Sequence, residues 1–165
     1  MAVEIIDQNE LLAQNYEPLR QHQWILSMDR NDLDAFTARS WARPSFTITE
    51  HKIDYINDYR YLAGKMDPQT FQLILIDPIA PSESQKVMEW VNLSYEQLTG
   101  RAGYADVYKK TINLKMLDPA GAVAQKWEIR GAWITSVDFG QLDYSNADFV
   151  TCTLTLRFDK AIIIQ

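Results

Sequence analysis

The longest regular pattern of apolar and polar positions lies between Lys126 and Phe158. Val150, Cys152, Leu154, Leu156 and Phe158 alternate with Thr151, Thr153, Thr155 and Arg157. That period of two predicts a strand with one apolar face and one hydroxyl-rich, basic face. Ahead of it, Trp127 and Ile129 alternate with Lys126, Glu128 and Arg130, and after Gly131 the pattern resumes as Trp133, Thr135 and Val137. A glycine inside such a run predicts a bulge or a close backbone approach. A turn-rich connection joins the two strands.

The rest of the chain is also mostly strand. QHQWILSMD predicts a strand with Trp24, Leu26 and Met28 on one side, NDLD a turn, and AFTARSWARP a strand returning as a hairpin to Pro44. Residues 45–64 form a long extended region. Tyr55, Asn57, Tyr59 and Tyr61 fall on one face and Ile56, Asp58, Arg60 and Leu62 on the other. Both faces are mixed, as expected where a strand meets a neighbouring subunit. TFQLILID is apolar on both faces, which predicts burial on both. Ser82 followed by Gln85 is a capping-box start for a helix that packs through Val87, Trp90, Val91 and Leu98 and ends at Gly100 and Gly103. VYKKTINLKMLD is a strand with Ile112, Leu114 and Met116 aligned, closed by the DPAGA turn. No repeat or domain boundary interrupts residues 1–165, which are expected to form one domain with an N-terminal arm (1–20) and an apolar C-terminal tail (160–165). In the arm, Asp7 and Glu10 mark a short helix through Gln14, ended by Pro18. Ile162, Ile163 and Ile164 in the tail are a liability in a monomer and reasonable in an assembly.

Composition narrows the functional classes. With 47% apolar and 23% charged residues, a chain of 165 residues can bury a core. Eight Tyr and five Trp suit a β-sandwich core or an extensive subunit interface. A formal net charge of -6 argues against a general nucleic-acid binder and is compatible with a surface that DNA slides past. The single cysteine, Cys152, excludes an internal disulfide and lies on an apolar strand face as a small buried hydrophobe. No basic leader and no apolar run of membrane-spanning length is visible, which predicts synthesis in a cytoplasm and no membrane anchor.

Chemistry is sparse. His22 and His51 are isolated, so no metal site is expected. No phosphate loop, dinucleotide fingerprint or serine elbow is present. GRAG at 100–103 follows a helix, whereas anions favour a helix start. The aspartates cluster at turns and strand ends, where they bond backbone amides. Neither an enzyme nor a cofactor is expected from these residues.

Taken together, Glu128-Ile129-x-Gly131-x-Trp133-x-Thr135-x-Val137, then Leu142-Asp143 and the alternating 150–158 strand, resemble the C-terminal half of tail tube proteins of contractile-tailed bacteriophages. Upstream, Tyr55-Ile56-Asn57, Leu62-Ala63-Gly64, Phe71 to Asp77 and a helix with Val87 and Trp90 keep the family's order, so the resemblance covers roughly residues 15–160. Two departures stand out: Ile134, where the family commonly has proline, and the AIIIQ extension. The resemblance implies a mainly β sandwich or barrel with one flanking helix. It implies six copies in a ring whose inner strands join into one barrel, and rings stacked into a hollow tube in a phage tail. Its implied partners are further copies of itself, the tail sheath, the tape-measure protein, baseplate tube proteins and DNA passing through the lumen. Thr151, Thr153, Thr155 and Arg157 would then face lumen or solvent. Tyr55, Asn57, Tyr59, Tyr61 and the isoleucine tail would supply contacts between subunits. A baseplate tube initiator or a ring protein of a bacterial contractile injection system shares the expected fold. From a different class, a monomeric β-sandwich or ligand-binding barrel would need an internal apolar cavity.

Overall fold

The computed structural model describes residues 17–28, 33 and 36–164. The expected helix at 7–14 and most of the NDLD turn lie outside them. The elements in chain order are β1 (Trp24–Met28), β2 (Ala38–Trp41), β3 (Phe46–Tyr55), β4 (Asp58–Pro68), β5 (Phe71–Ile76), α1 (Glu83–Ser94), α2 (Ala105–Tyr108), β6 (Lys110–Leu117), β7 (Val123–Asp138), β8 (Thr151–Arg157) and β9 (Lys160–Ile163).

Strand β7 organises the molecule. Its first half pairs with β6 on one side and β9 on the other, while its second half pairs with β8. One leaf is therefore β1-β6-β7-β9 and the other β7-β8-β5-β2, with β7 common to both. The hand-over falls at Gly131, whose φ of +69 favours glycine. A Cβ there would also run into the Asp159 carboxylate. Opposite it, the chain breaks between β8 and β9, and the Asp159 amide donates to the Arg130 carbonyl at 3.1 Å. The sheets do not close within one copy.

Between the leaves, Leu26, Ile112 and Ile129 meet Leu73, Leu75, Leu154 and Leu156, all essentially inaccessible to solvent. Each such side chain contributes about 1.5–3 kcal/mol relative to exposure. Helix α1 adds Val87 and Trp90 to this core, and the Trp90 indole donates to the Tyr108 carbonyl at 2.7 Å. The Ser82 hydroxyl accepts from the Gln85 amide at 3.4 Å, as its sequence position predicts.

Several expectations are corrected. β1 and β2 form no hairpin: β1 sets Trp24, Leu26 and Met28 against Met116, Leu114 and Ile112 of β6, and β2 joins β5. Matching apolar faces across a long strand outweigh a local turn signal. Residues 45–64 are not one extended strand but a hairpin arm turning at Ile56 and Asn57. β5 is buried only through Phe71, Leu73 and Leu75; Gln72 is exposed, and Ile74 and Ile76 are half-buried. After Gly131 the buried face of β7 passes to Ala132 and Ile134, not Trp133 and Thr135, because the glycine bulge adds a residue. A second bulge at Thr135 returns Val137 to the core side. Helix α1 ends at Ser94, leaving Leu98 in an exposed loop, since a Cβ on Gly103 would collide with the Leu93 carbonyl oxygen there. The segment before β6 starts as the short helix α2 rather than as strand. The C-terminal tail is the strand β9, with Ile162 opposite Glu128 and Ile163 opposite Trp127.

Candidate assembly interface

The outward face of the β7-β8-β5-β2 leaf is assembled from alternate positions of three strands. Thr151, Thr153 and Thr155 stand opposite Ile76, Ile74 and Gln72 on one side, and Ser136 and Asp138 face Thr155 and Thr153 on the other. The three threonines are half-buried among these neighbours, and Cys152, Leu154 and Leu156 point into the core. Arg157 is exposed and bonds Asp67 at 3.0 Å, tying the end of β8 to the root of the arm. Both lateral edges of this leaf are open: among the described residues no strand pairs with the outer edge of β2 or with the second edge of Trp133–Asp138.

The arm β3–β4 leaves this leaf between β2 and β5. Its root is fixed by an aromatic cluster in which Phe71 lies 4.7 Å from Trp41 and 5.5 Å from Phe158, with Phe46 edge-on to Phe158 at 5.7 Å. Beyond the root nearly every residue is exposed on both faces. The turn separates the expected tyrosine stripe. Tyr55 pairs with Asp58 and shares a face with Ile53, whereas Tyr59 and Tyr61 pair with Asp54 and Lys52 on the opposite face. The Lys52 ammonium sits 3.5 Å from the Tyr59 ring centroid. Asn57 is in the turn itself, after Ile56, which is 91% exposed at a φ of +49. Ile162 and Ile163 of β9, and Ile164 just after it, are each about half exposed.

Of the positions that carried the family pattern, Val87 and Trp90 are buried and Val137 packs against the core. Trp133 is half-buried, with its ring 6.1 Å from that of Tyr108. Thr135 is an exposed bulge residue whose hydroxyl donates to the Thr155 carbonyl at 2.9 Å. Leu142 and Asp143 lie in the exposed β7–β8 connection, where Asp143 accepts from the Ser145 amide and hydroxyl. Those bonds hold its carboxyl below the ordinary value.

Asp77 is a structural residue that sequence reasoning overlooked. It accepts from the Ser82 hydroxyl and the Glu83 and Ser84 amides at 2.9–3.2 Å, and from the Ser84 hydroxyl, so it caps α1 from the end of β5. Burial alone would raise its carboxyl, but these four donors hold it below the ordinary value. Asp77 lies six positions before the first residue of the helix, beyond the reach of a local capping motif. The Cys152 thiol is pushed up to about 11, first by burial and then by Asp77 and Asp138, so it is no nucleophile near neutrality. Among the described residues no three His, Cys, Asp or Glu side chains converge as metal ligands, and no helix is long and apolar enough to cross a membrane.

Among the described residues the leaf is long, its lateral edges are free and an arm projects from it. The family model described as T4-like virus tail tube protein gp19 matches residues 65–161. This chain belongs to that family. A tail tube family is a structural one, and the chain is a structural tube component. Solved structures share its fold. A chain of the PVC sheath/tube terminator of an extracellular contractile injection system superposes with a TM-score of 0.75 at 16% identity, covering 92% of this chain and 100% of that one. A chain of the PVC sheath-tube complex gives 0.69 at 17%, covering 96% and 98%. A chain of the tube-terminating cap of the anti-feeding prophage gives 0.66 at 20%, covering 99% and 98%. A search of curated proteins finds no match.

Proposed function

We propose that this tail tube protein is the repeating subunit of a contractile tail tube. Six copies form a ring, and rings stack into a hollow tube that conducts DNA from capsid to host inside the sheath. The observation that carries this reading is the four-stranded leaf with both lateral edges free. Joining β2 of one copy to the Trp133–Asp138 edge of the next removes both edges in every copy once a ring closes. The outward face of that leaf would then line the lumen with Thr151, Thr153, Thr155 and Asp138, a neutral to acidic wall that DNA passes without sticking. The β3–β4 arm, with Tyr55, Asn57, Tyr59 and Tyr61, reaches a neighbouring copy. An isolated two-stranded hairpin is marginal in water, and a partner surface makes up what it lacks. The isoleucines of β9 contribute to contacts between subunits or rings.

On this reading the sheath surrounds the tube, the tape-measure protein fills it before DNA does, and baseplate tube proteins start it. The protein is made in the host cytoplasm and resides in the phage virion. Negative-stain microscopy of the purified chain, with its mass in solution, tests the proposal: rings or hollow rods of six-fold symmetry are expected. A strictly monodisperse monomer at high concentration, giving no rings even with tail extract, would overturn it. A second reading, an end ring of a contractile injection system, is favoured by the similarity to the PVC sheath/tube terminator and to the anti-feeding prophage cap. An end ring would form hexamers that bind a tube end without extending it, whereas the repeating subunit extends into rods.

A further inference from the structure

The outward face of the β1-β6-β7-β9 leaf is basic in a chain of net charge -6. Lys115, Lys126, Arg130 and Lys160 all lie on it, with Glu128 as its carboxylate, bonded to Arg130. Their registers are unfavourable for a free monomer. Lys115 stands directly opposite Lys126, and Arg130 directly opposite Lys160, and like charges in cross-strand pairs destabilise a sheet. Among the described residues neither Lys115 nor Lys160 has an ion-pair partner. Ile25, opposite Lys115, and Ile162, opposite Glu128, add exposed aliphatic surface to the same face.

The complement is elsewhere in the same sequence. The β7–β8 connection carries Asp143 and Asp148, just beyond Asp138 at the end of β7, and no lysine or arginine occurs between Gly131 and Leu156. Around those aspartates Leu142 is 80% and Phe149 77% exposed, and Tyr144 is fully exposed. One surface is cationic and aliphatic, the other anionic and aromatic. They lie at opposite ends of β7, separated by roughly 25–40 Å of strand at about 3.3 Å per residue, so a copy is badly placed to satisfy its own pair. Two unlike surfaces that fit each other are what head-to-tail association needs.

We infer that the basic face of β6, β7 and β9 receives the acidic 139–150 connection of a second copy of this chain. The inference rests on the tube reading and names a contact that reading leaves open. The test is a charge exchange. Lys115→Glu with Lys160→Glu turns both like-charged pairs into opposite-charged ones, so the monomer keeps or gains thermal stability while the assembled fraction in sedimentation and microscopy falls at least tenfold. Adding Asp148→Lys, at a side chain with no structural bond of its own, restores much of the lost assembly. Two results overturn the inference: wild-type assembly by the doubly reversed chain, or lost assembly that Asp148→Lys does not restore. Loss of duplex DNA retention with assembly intact would assign the face to nucleic acid and overturn it as well. If the wild type gives no rings, the tube reading fails. The inference is then read from weak self-association at the highest attainable concentration: sensitivity to the two reversals supports it, and no association or an insensitive one overturns it.

Discussion

Asp77 joins the end of β5 to the start of α1 through a single carboxylate, and its environment sets how the helix responds to acid. The four hydrogen bonds favour the ionised form and lower its pKa. Its stabilisation is therefore fully present above the ordinary carboxyl value of 3.8 and is lost as pH falls below that value through the depressed one. Asp77→Ala should cost about 0.5–2 kcal/mol, the usual range for removing a helix cap. In urea titrations the gap to the wild type should be full at pH 7 and shrink as pH falls below 3.8. A gap unchanged in acid would mean that the carboxylate charge contributes nothing. Gly131 is fixed for a different reason. Any β-carbon there meets both a positive φ and the Asp159 side chain that bonds Lys109 at 2.8–2.9 Å. Gly131→Ala should destabilise by more than about 1 kcal/mol, with the loss visible as a lower urea midpoint at unchanged slope.

The two faces of β8 make opposite predictions about the same substitution. Leu154 is wholly buried between the leaves, and Leu154→Asp should abolish folding, because an unpaired carboxylate in that core costs more than a marginal domain holds. One residue away, Thr153→Asp should leave a folded monomer, checked by circular dichroism and one-dimensional NMR. Equal behaviour of the two would show the assignment of faces to be wrong. That alternation was legible in the sequence because the strand has no bulge. In β7 the glycine marked the bulge at Gly131, but period-two reasoning did not carry the extra residue into the faces beyond it, and nothing marked the second bulge at Thr135. Partner choice was likewise hidden, since the pairing of β1 with β6 and of β2 with β5 depends on apolar faces brought together from distant segments. The Thr151–Arg157 side of β8 was visible from its hydroxyls. The basic face of β6, β7 and β9 was not, because its cations come from three strands whose register only the fold supplies.

For the molecule as a whole, the arm is where monomer stability and assembly oppose each other most clearly. Tyr55 pairs with Asp58, so the arm turns through Ile56 and Asn57 alone, and the first of these two holds the positive φ. Glycine is the residue such a turn prefers at that position, and a β-branched side chain there costs about 1–2 kcal/mol. Ile56 is also 91% exposed, so in a single copy it gains nothing from burial to offset that cost. A strained apolar residue at the tip of an arm that, beyond its root, is exposed on both faces among the described residues makes sense where the tip is covered in an assembly. On the tube reading Ile56→Gly should therefore raise the thermal stability of the monomer while weakening association, because it relieves the turn and removes the side chain that a neighbouring copy would cover. Tyr59→Ser with Tyr61→Ser, on one face of the arm, should weaken association without relieving the turn. Measured together by thermal melts and by the concentration at which rings or rods first appear, the variants separate the two effects. A tip that only closes the hairpin would gain stability on glycine substitution and assemble as before, and that outcome would remove the arm tip from the subunit contact.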